Sequence, residues 1–197
     1  MRSDTSSLVV DKLCNIAGER NIAVSCYYVD FATREEQSPP NILGSLLKQI
    51  VSGLKRIPDE IRQTFQDYKK LIGVRGLRVA EIVKMMQTVT SLQPTFICVD
   101  ALDECMERHR PGILDWLRQI LEKSPNTRIF LTGRQHIQGE IDRHLGERMT
   151  ILSIKPDPND IVRYVRMRLS KDTSLSGMDS GLEDEIVKNI TENVPKT

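Results

Sequence analysis

The stretch Thr95-Phe96-Ile97-Cys98-Val99-Asp100-Ala101-Leu102-Asp103-Glu104-Cys105 decides how this chain folds. After Pro94 come five apolar or β-favouring residues, and they end abruptly in three carboxylates, Asp100, Asp103 and Glu104. An unbroken apolar run of this kind reads as a strand buried on both faces, as at the centre of a parallel sheet. Asp100 then sits at the C-terminal tip of the strand, the end where ligands of open α/β sheets bind. A carboxylate there suits a hydrated magnesium ion, which takes few protein ligands and keeps several waters. Asp103 and Glu104 follow on the tight turn, within reach of a water or of the same ion. A strand that merely ends in a solvated, charged loop is the plainer reading, and an apolar strand closed by D-A-L-D-E speaks against it.

Downstream, Ile113, Leu114, Leu117, Ile120 and Leu121 mark a helix with Trp116 at its flank, ended by Ser124-Pro125-Asn126. Arg128-Ile129-Phe130-Leu131-Thr132 is a second buried strand, followed by Gly133-Arg134. Two strand tips thus carry Asp100 and Arg134, and an arginine so placed can make charge-assisted contacts to phosphate oxygens. Taken alone, Arg134 is a surface residue. Upstream, a helix starts at Ser6 with Leu8, Val9, Leu13 and Ile16 on one side, and Ile22 to Phe31 is a strand rich in β-branched and aromatic residues.

Beyond the loop Ala32–Pro40, three amphipathic stripes predict helices that pack on the core. Ile42, Leu43, Leu46, Leu47, Ile50 and Leu54 form the first. Ile61, Phe65, Tyr68 and Ile72 follow Pro58, and Val79, Ile82, Val83, Met86 and Val89 come after a break at Gly73 to Gly76. Near the C-terminus Met149 to Ile154 reads as a final short strand leading to Pro156-Asp157-Pro158. Asp157 can cap and Pro158 can open a helix with Ile161, Val162, Val165 and Leu169 inward. Arg163, Arg166, Arg168 and Lys171 on it are a solvated face; a polar linker to Gly181 and a helix over Leu182–Asn193 follow.

The 197 residues suffice for one α/β domain with a sizeable core. Lys and Arg number 28 against 27 Asp and Glu, so no net field recruits nucleic acid or an anionic membrane. Aromatic content of 5% argues against base-stacking platforms. Cys14, Cys26, Cys98 and Cys105 contain no C-x-x-C pair and read as reduced, mostly buried thiols of an intracellular, cytoplasmic protein. No signal pattern and no apolar run of membrane-spanning length occurs. His109, His136 and His144 form no ligand pattern, and there is no G-x-S-x-G elbow.

The D-A-L-D-E segment closely resembles the Walker B motif of the NACHT-type STAND nucleoside triphosphatases. Within them the chain is similar to the fungal NACHT and nephrocystin-like group, often attached to ankyrin or other repeats. The likeness extends to the aromatic strand ending in Asp30-Phe31, to Thr132-Gly133-Arg134, and to the segments after Asp157 and Met178, which resemble a small helical domain. The resemblance implies a P-loop NTPase-type parallel sheet flanked by helices over residues 1–156, incomplete at its first strand, with the helical domain beginning at 157–197. It further implies Mg2+ with ATP or GTP as cofactors, Asp100 on the metal, and Asp103 or Glu104 orienting the attacking water. Arg134 would sense the γ-phosphate, and Pro156 would lie against adenine.

A phosphate-cradling loop needs G-x-x-x-x-G-K-[ST], whose amides and lysine wrap the phosphates. None of the 11 glycines is followed by lysine. By the family pattern Met1 stands where the glycine–lysine pair would be, with Arg2 and Ser3 near the lysine and hydroxyl positions. The expectation is therefore a fragment of a nucleotide-dependent signalling switch, with weak nucleotide affinity and hydrolysis lost. The expected partners are other NACHT chains, in homo- or hetero-oligomers. A second reading is a non-catalytic interaction module or decoy that pairs with full-length relatives through an open sheet edge. A third is a truncated gene product.

Overall fold

The computed structural model describes residues 4–70, 77–154, 157–171 and 180–192. Ile72, the break at Gly73 to Gly76, Pro156 and the first three residues lie outside them. Three parallel strands, β1 (Ala23–Tyr28), β2 (Thr95–Asp100) and β3 (Thr127–Leu131), form a sheet in the order β1-β2-β3. The apolar run of β2 is central, as its lack of alternation requires, and Asp100 ends it opposite Tyr28.

Alternation along the strands separates two faces. Ala23, Tyr27, Ile97, Val99, Ile129 and Leu131 point into the main core. That core is closed by α2 (Pro39–Ser52), α4 (Val79–Leu92) and α5 (Arg110–Lys123), with Ile61 of α3 (Asp59–Lys70) also fully buried in it. The stripes read from sequence supply its largest side chains, among them Leu43, Leu46, Ile50, Met86 and Leu114. Burying each stabilises the fold by about 1.5–3 kcal/mol. Pro39 and Pro111 stand in the first turns of α2 and α5, where a missing N–H is harmless.

The other face carries Cys26, Tyr28, Cys98, Asp100 and Phe130, and α1 (Asp4–Glu19) contacts β1 and β2. Here the sequence reading needs correction. Ser6 and Val10 are the buried residues of α1, whereas Leu8 is 70% and Ile16 38% exposed. Four apolar residues at near-helical spacing do not fix which flank of the helix meets the sheet. Cys14 is likewise exposed, so only Cys98 and Cys105 are buried thiols.

The two sheet edges differ. On β1, Cys26 turns its backbone outward, and the Gln49 side chain of α2 accepts from its N–H and donates to its C=O, both at 2.9 Å. On β3, the Thr95 N–H to Asn126 O and Thr132 N–H to Val99 O bonds direct residues 126 and 132 toward β2. By ladder geometry Ile129 and Leu131 then turn their N–H and C=O groups away from it.

A helix not read from sequence, α6 (Gln138–Leu145), packs on α5 through Ile141 and Leu145. The expected strand at Met149–Ile154 does not form. Met149 packs against the core, while Ile151, Leu152 and Ile154 are exposed. A strand is stabilised by a hydrogen-bonded neighbour, and among the described residues none pairs with this segment. Residues 150–197 make a second compact unit. In it α7 (Pro158–Lys171) and α8 (Ser180–Glu192) pack together through the buried Val165 and Val187, with Arg166 paired to Asp184 at 2.9 Å. Among the described residues no helix is long and apolar enough to cross a membrane.

Candidate functional site

Asp100 is 5% exposed, because the sheet carries it under the first turn of α1. Its Oδ1 accepts from the Ser6 hydroxyl, and from the Thr132 hydroxyl at 2.5 Å. Thr132 holds the turn from both sides. Its hydroxyl accepts from Ala101 N–H at 2.9 Å and its carbonyl accepts from Leu102 N–H at 2.9 Å. Between them Ala101 adopts φ 55° and ψ 46°, and it is the one non-glycine residue with positive φ among those described. A left-handed alanine is strained by about 1–2 kcal/mol. Ala101→Gly should therefore raise the unfolding free energy by about 0.5–1 kcal/mol, the relief less the added freedom of the unfolded chain. A urea titration would show it, and a loss instead would mean that the turn is not under strain.

The three carboxylates of the turn diverge. The Asp103 side chain, 7% exposed, accepts from Arg134 N–H at 3.2 Å and pairs with its guanidinium at 3.4 Å. Glu104 accepts from Phe31 N–H at 3.1 Å and so ties the turn to the tip of β1. No group of three or more His, Cys, Asp and Glu among the described residues is placed to hold a metal ion together. The arrangement therefore joins Asp103 to Arg134 and sets Asp100 with two hydroxyls. Pro156 lies outside the described residues.

Arg134 is 78% exposed, with its guanidinium at 3.4 Å from the same Asp103 carboxylate that fixes its backbone N–H. Gly133 permits this approach. A Cβ there would stand 2.7 Å from Cδ1 of Ile137, a residue only 2% exposed, and 3.5 Å from Asp103 Oδ1. Gly133→Ala should cost about 1–2 kcal/mol as Ile137 is displaced. Its thermal midpoint should fall, and an unchanged one would show that Ile137 yields freely.

A sequence model of the nephrocystin 3 N-terminal region matches residues 2–134, which hold the sheet and every site residue described above. The chain belongs to the nephrocystin 3 N-terminal family. A search of solved structures pairs it with the Walker-type ATPase paby2304 of Pyrococcus abyssi, at 14% identity and a TM-score of 0.42. The alignment covers 95% of this chain and 61% of that one, so the chain spans about three fifths of that ATPase. No curated protein matches.

Three residues of this candidate site were not anticipated. Ser6 is a short hydroxyl without a local signature, Thr132 reads in the sequence only as part of the segment leading to Arg134, and only the sheet brings both to Asp100. Arg110 stands just before a proline and is 6% exposed. Its Nε donates to Glu140 of α6 at 2.6 Å and its Nη1 to the Asp103 carbonyl at 3.2 Å, which fastens the turn to two helices. Burial pushes the neighbouring Cys105 thiol up, against the lowering field of Arg110.

Proposed function

We propose that this chain is the part of a NACHT-type nucleotide switch that carries the magnesium-holding aspartate and the phosphate-sensing arginine. The observation that supports it is Asp100, a buried carboxylate at the C-terminal tip of the central parallel strand with two hydroxyls on it. Carboxylate and hydroxyl oxygens are the hard donors that magnesium takes. Asp100, with Ser6 and Thr132 beside it, would hold the ion together with ATP or GTP. When bound, that ion neutralises charge on the transferring phosphoryl group.

The roles of the remaining residues follow from their partners. Thr132 fixes the rotamer of Asp100. Asp103 holds the Arg134 backbone and pairs with its exposed guanidinium, which would leave that pairing to reach the γ-phosphate. Glu104 braces the β1 tip, and Pro156 is assigned to adenine by resemblance alone. These 197 residues contain no G-x-x-x-x-G-K-[ST], the loop whose amides nest phosphates, which supports weak nucleotide affinity and no hydrolysis by this stretch on its own. Oligomers with other NACHT chains in the cytoplasm complete this reading.

Calorimetry with Mg–ATP and Mg–ADP on the purified chain tests it, after a cooperative melt has been recorded. A Kd on the order of 1 mM is expected, with binding abolished by Asp100→Ala. Binding indifferent to that substitution would remove the site, and measurable phosphate release would overturn the loss of hydrolysis.

A second reading, the interaction module, is favoured by the outer edge of β3. Its Ile129 and Leu131 backbone groups turn outward, whereas Gln49 occupies the same place on β1. An extended strand from an intact family member would pair there. Pulldown of such a relative by the parent chain, and its loss in Ile129→Pro, would support this reading. Equal capture by the variant would end it.

A further inference from the structure

Two of the four cysteines meet on the sheet face that α1 covers, apart from the pairing of Asp103 with Arg134. The register sets Cys26 of β1 directly opposite Cys98 of β2. Cys14 lies on α1 and is exposed. Cys105 belongs instead to the main core on the opposite face.

We propose that Cys26 and Cys98 form a reversible dithiol–disulfide site across β1 and β2. Neighbouring strands run about 4.8 Å apart. Facing Cα atoms at that spacing fall within the roughly 4.4–6.8 Å that a disulfide spans. Side chains that leave adjacent parallel strands in register keep their Cβ atoms near the strand spacing, wider than the mean of about 3.8 Å for a relaxed bridge. A bridge formed here is therefore strained, and strained bridges are the labile, readily reduced ones. Gln49 fixes the backbone of Cys26 from the outer side, so the strand does not drift away as the bond forms.

The co-reactant is a low-molecular-weight disulfide, RSSR. Cys26, half-buried, is the thiol that it reaches first, and Cys98 is 3% exposed. The Cys26 thiolate attacks one sulfur of RSSR, a mixed disulfide forms, and RS− leaves and takes up the proton that Cys26 gave. Cys98 then loses its proton and attacks Cys26 Sγ. The mixed disulfide breaks, and the second RS− leaves with the Cys98 proton. Two protein thiols are oxidised to one disulfide and RSSR is reduced to two RSH. Because Cys98 is only 3% exposed, the second step waits on the mixed disulfide at Cys26 and is the slow one. The bridge lies two residues before Tyr28 and Asp100 on their strands, so its formation fixes the spacing of those two tips.

The test is disulfide mapping on the full wild-type chain after incubation with oxidised glutathione at mildly alkaline pH, followed by blocking of the remaining thiols. Trypsin combined with an aspartate-directed protease places each of the four cysteines on its own peptide. The expected product joins peptides 21–29 and 85–99, is lighter than their sum by two hydrogens, and separates on reduction. It should persist in Cys14→Ser and in Cys105→Ser. A bridge from Cys14 to either partner, glutathione attached at single cysteines only, or four blocked thiols would each overturn the proposal. The wild-type map decides alone, so no variant that fails to fold can obscure the answer.

Discussion

Arg110→Met should lose about 3–5 kcal/mol of unfolding free energy, the penalty for stranding one partner of a buried ion pair. Domains of this size hold only about 5–15 kcal/mol in all, so the variant stands close to unfolding. The size of the effect comes from position. Arg110 and Glu140 are joined at 2.6 Å with side chains only 7% and 18% exposed, so the Glu140 carboxylate would remain behind with little water. Glu140→Gln should lose less, since the amide oxygen still accepts from the guanidinium. Arg110→Met with Glu140→Leu should recover part of the loss, because an apolar pair strands no charge. Recovery should stay incomplete, since the Asp103 carbonyl has lost its donor. Urea titration of the four proteins checks the series. A loss under about 1 kcal/mol for Arg110→Met would place the pair among ordinary surface contacts.

Thr132→Val should cost about 2–3 kcal/mol and, with it, the Mg–nucleotide binding proposed for Asp100. Valine keeps the shape but leaves the Ala101 N–H without its acceptor and removes one donor from Asp100. A buried polar group deprived of its partner costs about 1–3 kcal/mol. The strained turn at Ala101 loses its restraint at the same point. Thr132→Ser keeps the hydroxyl and should restore both stability and binding. If Thr132→Val destabilised the chain while leaving nucleotide binding intact, the hydroxyl would be a structural brace with no part in positioning Asp100.

What was legible in the sequence follows the range of the forces involved. The β2 run announced itself because a strand buried on both faces has no polar positions to interrupt it, and Asp100 fell at its tip for that reason. The stripes of α2 and α4 were legible through helical spacing, which is a local property. The α6 segment Q-G-E-I-D-R-H-L carries only Ile141 and Leu145 on its inner side, too few to stand out. Met149–Ile154 has strand-like composition, but a strand depends on a neighbour that its own residues do not specify. The Thr132 and Ser6 hydroxyls and the Arg110–Glu140 pair depend on contacts between residues 30 or more positions apart, and no window along the chain contains both partners. The site was thus legible where it coincides with the end of a strand and hidden where tertiary packing assembles it.

The asymmetry of the sheet edges also limits stoichiometry. With Gln49 seated on Cys26, a strand added on the β1 side would have to displace that side chain, so addition at β3 is the easier of the two. Two copies that met edge to edge there would bury both available borders and present only plugged ones outward. Such an assembly closes at two, because a self-complementary contact uses the same patch on each member. Growth into a fibre needs two compatible borders per subunit, and one amide side chain stands in the way of the second.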